Sequence, residues 1–139
     1  MREILFRGKR KTDGKWTDGY YVNDESEQMA ERPITYIYHL NKHPCGWDLL
    51  PFEVIPETVG QFTGLCDKNG KRIFEGDVIE MDRGWDEKVT YVVRYAIDIC
   101  AFIGSSINYI GFTTFEDDGD RIKIIGNIHD NPELLEGRQ

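Results

Sequence analysis

Three groups of side chains in this 139-residue chain have types and spacings that suggest chemistry. Asp67, Asn69, Glu75 and Asp77, grouped around Gly70, offer oxygens of the kind that hold calcium. A helix-flanked calcium loop needs glycine at its sixth position and a bidentate glutamate at its twelfth. Counted from Asp67, Gly70 is fourth and Val78 is twelfth, so turn chemistry is the expected use of these residues. His39, His43 and Cys45 form an H-x3-H-x-C group that resembles half a zinc site. Structural zinc takes four ligands from well-spaced pairs, and His129, Cys66 and Cys100 stand at no telling distance. The third group, Glu116-Asp117-Asp118-Gly119-Asp120, has the oxygens a magnesium or calcium ion wants. Such a run more often forms a solvated turn whose charges keep a sheet end from pairing.

Nucleophilic catalysis finds no constellation. Gly104-Ser105-Ser106 lacks the second glycine of a nucleophile elbow and falls between apparent strands rather than before a helix. Neither a dinucleotide-binding glycine pattern nor a Walker loop is present. The expectation is no catalytic residue, no cofactor and no metal, and a protein that is not an enzyme. A small hydrolase with an unrecognised carboxylate site is held as an alternative. Trp16, Trp47 and Trp85 sit at polar turns or connectors, where core or lobe-interface packing is the first expectation. Peptide binding or self-association through these rings is the functional version.

The elements that must position these groups are mostly strands. Ile4 to Arg7 alternates, Thr12-Asp13-Gly14-Lys15 makes a turn, and Trp16, Tyr20 and Val22 return, which is a hairpin pattern. Asp24 to Arg32 is polar and reads as a short helix or a loop. Ile34 to Leu40 is a strand by its β-branched and aromatic residues. Asn41 to Pro56, with Pro44, Pro51, Pro56 and Gly46, reads as a connector with little regular structure. From Thr58 the strands come at short spacing. Val59 to Cys66 and Arg72 to Phe74 flank Asn69-Gly70, whose residues tolerate the φ values of a type I′ turn. Val78 to Met81, Lys88 to Tyr95, Ile97 to Ile103, Ile107 to Phe115 and Arg121 to Ile128 follow, the third of these apolar enough to be fully buried. Asn131 and Pro132 announce one helical turn through Leu134-Leu135-Glu136. The expected architecture is mainly β: an N-terminal hairpin-bearing lobe and connector over 1–56, then a small SH3-like or OB-size barrel or roll over 57–139 with a short C-terminal helical turn. One compact domain overall is the alternative.

Charge is uneven along the chain. Residues 1–16 hold six Lys/Arg against Glu3 and Asp13, a net of +4, and the rest carries 11 basic and 23 acidic residues, a net of −12. An acidic body repels nucleic acid, whose affinity comes largely from Lys/Arg contacts to phosphate. The basic N-terminal arm reads first as a solvated hairpin tip; its functional versions are contact with nucleic acid or docking on a neighbouring subunit's acidic body. Three cysteines without paired spacing, no signal-peptide pattern and no long apolar run predict a reduced, cytoplasmic protein without a membrane segment.

The opening MREILFRG, the central TVGQFTGLCDKNGKRIFEGD from Thr58 to Asp77 and the closing IIGNIHDNPELLE together resemble the YopX family. These are small phage- and prophage-encoded proteins. The resemblance implies an all-β fold and a prophage setting in a bacterial cytoplasm, and it brings no active-site residues. The functional expectation is a non-enzymatic accessory protein acting by protein–protein binding or self-assembly as a homo-oligomer. Nucleic-acid or nucleoprotein binding through the basic arm is the alternative.

Overall fold

The computed structural model describes residues 2–24, 34–108, 110–116 and 119–136. The expected helix or loop at Asp24 to Arg32 falls, after Asp24, outside the described residues. The chain divides into two compact units, 1–61 and 62–139, each built on antiparallel strands.

In the first unit β1 (Phe6–Lys9), β2 (Trp16–Asp24), β3 (Ile34–His43) and β4 (Gly46–Glu53) pair in sequence order. The β1–β2 turn forms as its sequence predicts. Gly14 takes φ 71°, and the Asp13 carboxylate accepts the Lys15 N–H at 3.0 Å, which lowers its pKa from the ordinary value. Beyond β4 the chain returns to the end of β1: Val54 bridges Arg10, Lys11 N–H donates to the Glu53 carbonyl and Ile55 N–H to the Lys9 carbonyl. Gly60 and Gln61, opening β5 (Gly60–Cys66), pair with Arg7 and Phe6. Thr17, Gly19, Thr35, Ile37 and Val54 are buried, and a Cβ on Gly8 would stand 3.1 Å from the Val54 side chain.

The proline-bearing stretch expected to be irregular is a hairpin. Asn41 to His43 complete β3, and Leu40↔Leu49 and Lys42↔Trp47 are paired across to β4. Each proline occupies a place that tolerates it. Pro44 is the first residue of the two-residue turn between His43 and Gly46, where a φ near −65° is wanted. Pro51 lies in β4, which among the described residues has a strand neighbour on one side only, so no ladder on its other side misses its N–H. Pro56 opens a short 3-10 turn, Pro56–Thr58.

In the second unit β6 (Arg72–Phe74) returns along β5. β7 (Asp77–Gly84), β8 (Glu87–Ala96), β9 (Ala101–Ser106), β10 (Phe112–Thr114) and β11 (Ile122–Asn127) form an open sheet in the order β10-β9-β8-β7-β11. The expected barrel is therefore not closed, because among the described residues β10 and β11 end the sheet without pairing to each other. Ile73, Ile79, Met81, Tyr91, Val93 and Ile122 make the core, with Leu65, Val89, Phe115 and Ile124 packed against it. The apolar run starting at Ile97 is not a buried strand. Residues 97–100 are the β8–β9 turn, with Cys100 at φ 53° and Ile97 and Ile99 exposed, because tight reversal there outweighs hydrophobicity. The closing segment forms a 3-10 turn, Pro132–Leu135. Asn131 does not cap it through its side chain; its Oδ1 accepts the Asn127 N–H at 3.2 Å instead. A Cβ on Gly126 would lie 2.6 Å from that oxygen and 2.8 Å from Leu134 Cδ1, so this corner closes only over glycine.

Asp67 holds the second unit's hairpin to its sheet. It is only 6% exposed, and its Oδ1 accepts the N–H groups of Asn69 and Lys71, both at 2.9 Å. Its Oδ2 accepts the Ile124 N–H of β11 at 3.2 Å, while Lys68 N–H reaches the Ile122 carbonyl. Burial pushes the carboxyl's pKa up, but the N–H groups of Lys71, Ile124 and Asn69 together outweigh it and hold it below the ordinary value. Asp67→Asn should cost about 2–4 kcal/mol near neutral pH, measured by denaturant unfolding. Because the folded pKa is depressed, the advantage of wild type over this variant is full above about pH 4 and shrinks as acid protonates the folded carboxyl. An advantage that stays constant from neutrality down to about pH 2 would contradict this account.

Candidate functional site

The strand register of the first unit sorts its side chains onto two faces. Directly opposed residues share a face, so Tyr20↔Tyr38, Val22↔Tyr36, Tyr38↔Pro51, Leu40↔Leu49 and Lys42↔Trp47 place these residues together. The other face carries the buried Thr17, Gly19, Thr35 and Ile37. Trp47 is 67% exposed, and Tyr20, Val22 and Leu49 are exposed as well. Tyr36 and Tyr38, two residues apart on β3, stand with ring centroids 6.2 Å apart. The result is an aromatic and aliphatic surface on one side of three adjacent strands, of the kind that marks an interaction site.

One backbone contact makes this surface possible. A Cβ at Gly19 would stand 2.1 Å from the Tyr38 carbonyl oxygen, and its φ of 152° lies where side chains are rarely found. Glycine there lets β2 approach β3 closely enough to set Tyr20 against Tyr38.

The basic residues at the start of the chain are built into the same unit. The Arg7 guanidinium lies 4.7 Å and the Lys9 ammonium 5.8 Å from the Trp16 ring centroid. Arg10 stacks 3.8 Å over Phe52 and reaches Asp13 at 3.4 Å, and Lys11 pairs with Glu53 at 3.2 Å. These cations belong to β1 and its turn, and four of them are already committed to rings and carboxylates. Trp16 is half-buried beneath them.

Packing does not account for the other two tryptophans. Trp47 faces outward from β4, and Trp85 is fully exposed. Trp85 and Asp86, at φ 54° and 58°, form the left-handed turn joining β7 to β8. Such a conformation costs a bulky side chain about 1–2 kcal/mol, and no burial offsets it at Trp85.

Of the three groups weighed as metal ligands, two make local bonds. His39 Nδ1–H donates to the Asp18 carbonyl at 2.8 Å and lies 3.2 Å from its carboxylate, while His43 Nε2 is 3.8 Å from Asp48. Cys45 is exposed in the following turn, and Cys66 and Cys100 are exposed elsewhere. Glu116 to Asp120 lies partly outside the described residues, since 117 and 118 are not among them. No three His, Cys, Asp or Glu side chains converge on a metal position among the described residues.

A polar corner that sequence reasoning missed joins two of the quoted motifs. Asp77, 1% exposed, accepts the Phe74 N–H at 2.8 Å and pairs in register with Asn127. Asn127 Oδ1 accepts the N–H groups of His129 and Asp130, and Ile128 N–H donates to the Gly76 carbonyl. His129 Nε2 comes within 3.6 Å of where a Gly76 Cβ would stand. These bonds fold the backbone back on itself, so the corner is structural. The Gly-Asp and Asn-x-His-Asp patterns were the available signal, since short polar residues around glycine announce side chain-to-backbone bonding.

Residues 5–136 match the family model described as YopX protein. A crystal structure of protein EF1440 from Enterococcus faecalis is similar in fold. It is 21% identical, with a TM-score of 0.57, and the match covers 98% of this chain and 100% of that one. No curated protein matches the chain.

Gly19→Ala should destabilise the chain by about 3 kcal/mol or more, because a backbone oxygen rather than a movable side chain occupies the space. A thermal melt within about 2 °C of wild type would show that β2 and β3 can part without loss.

Proposed function

We propose a binding role for this chain, which belongs to the YopX family: it joins another protein, or a second copy of itself, through the outer face of β2, β3 and β4. The observation that carries this reading is the exposed surface of Tyr20, Val22, Trp47 and Leu49 around Tyr36 and Tyr38. Large rings with few rotamers lose little entropy on docking and supply most of an interface's binding energy. The reading needs no catalytic group and assigns none. It fits a non-enzymatic accessory protein of phage or prophage origin working in the bacterial cytoplasm. Among the described residues no helix is long and apolar enough to cross a membrane.

Nucleic-acid binding through the basic N-terminal residues is the weaker reading. Those cations already face Trp16, Phe52, Asp13 and Glu53, and the chain's net charge is −8.

The test compares wild type with a Trp47→Ser/Leu49→Ser double variant by light scattering across concentration and by affinity capture after nuclease treatment. The expected outcome is a mass above the monomer, or a nuclease-resistant protein partner, weakened about tenfold or more in the variant at unchanged melting temperature. A monomer that retains no protein would overturn the reading. Retention lost on nuclease treatment, with affinity falling steeply in salt, would move it to nucleic acid.

A further inference from the structure

The second unit carries a polar cleft of about 100 Å³ that the binding surface above does not use. Lys68, Glu80, Asp82, Lys88, Asp120, Arg121 and Lys123 line it. Three elements bring them together. Lys68 comes from the Asn-Gly turn that Asp67 ties to β11, and Arg121 and Lys123 flank the buried Ile122 on the opposite face from the core. Glu80 and Asp82 of β7 and Lys88 of β8 complete the wall.

The charges in this cleft do not cancel pairwise. Glu80 takes Lys88 at 3.7 Å, although its cross-strand neighbour in register is Lys123. Asp82 spends an oxygen on the Gly84 N–H at 2.9 Å. Lys68, Arg121 and Lys123 have no carboxylate within ion-pair distance among the described residues, though acids outnumber bases in the chain 25 to 17. The lining holds four cations against the three carboxylates Glu80, Asp82 and Asp120, and an anion placed between Lys68, Arg121 and Lys123 is drawn by that local excess.

We propose that this cleft binds a small phosphate monoester, with the phosphate oxygens held by Lys68, Arg121 and Lys123. A planar guanidinium can meet two phosphate oxygens at once, and two ammonium groups add point charges. Asp82 and Asp120 on the same wall accept hydrogen bonds from hydroxyl groups of the esterified part. They also repel a continuous phosphate backbone, which sets a small ligand apart from a nucleic-acid strand. This site is independent of the aromatic face in the first unit.

The experiment is amide NMR titration of the full chain with inorganic phosphate, glycerol phosphate and a short single-stranded DNA, each at low salt. Saturable shifts centred on Lys68, Arg121 and Lys123, with glycerol phosphate binding at least as tightly as phosphate, are expected. An Arg121→Gln/Lys123→Gln variant should weaken both by about tenfold or more at unchanged melting temperature. Since Lys68, Arg121 and Lys123 are exposed, these changes leave the core intact, and Lys68→Gln serves as a second variant. Absence of saturation by either small anion would overturn the proposal. So would tighter binding of the DNA at the same amides, or binding that both variants leave unchanged.

Discussion

The second unit depends on one buried carboxylate whose bonds are all to backbone. Asp67 ties the Asn69-Gly70 turn to itself and to β11, so a local reversal and a strand some sixty residues later are fixed by the same side chain. An ionised group so little exposed is tolerable only because three N–H dipoles aim at it. Through Ile124 that arrangement sets the register of β11 on β7, and register decides that Ile122 and Ile124 turn inward while Lys123 turns out. The polar cleft follows from this, since Lys68 and Lys123 meet only when the turn and β11 are joined.

The first unit solves a different problem. Small or β-branched residues on its inner side (Gly8, Thr17, Gly19, Thr35 and Ile37) let the strands pack closely around little volume. Rings stand on both sides: Phe6, Tyr21 and Phe52 share the side of Gly19 and Ile37, and Tyr20, Tyr36, Tyr38 and Trp47 share the other.

Much of this architecture was legible locally. Asp13-Gly14 and Asn69-Gly70 mark where turns fall, but only the glycines take positive φ, 71° and 78°; Asn69 does not, so the expected type I′ pair is not formed. The alternation in Ile34 to Leu40 and around Ile122 announces strands with one buried face. The misreadings share a physical cause. Pro51 breaks a central strand but not one with a free edge, and edge position is a property of neighbours. Ile97 and Ile99 look buried by hydrophobicity, yet a reversal needed there keeps them in solvent. Of the candidate surface, Trp47 and Tyr20 were visible as residue types, while their sharing of one face through Tyr38 and Leu40 required the register.

The sequence alone determined the strand-rich class, the tight turns and the family, because each is written in short runs where neighbours along the chain decide the backbone. Tertiary structure alone decided that the sheet of the second unit stays open and that His39, His43 and Cys45 go separate ways. It also decided that Asp67 and Asp77 bond to backbone N–H groups, and that the N-terminal cations stack on rings. These outcomes depend on which strand lies beside which, and pairing between distant segments is set by packing and hydrogen-bond satisfaction that no local run of residues encodes.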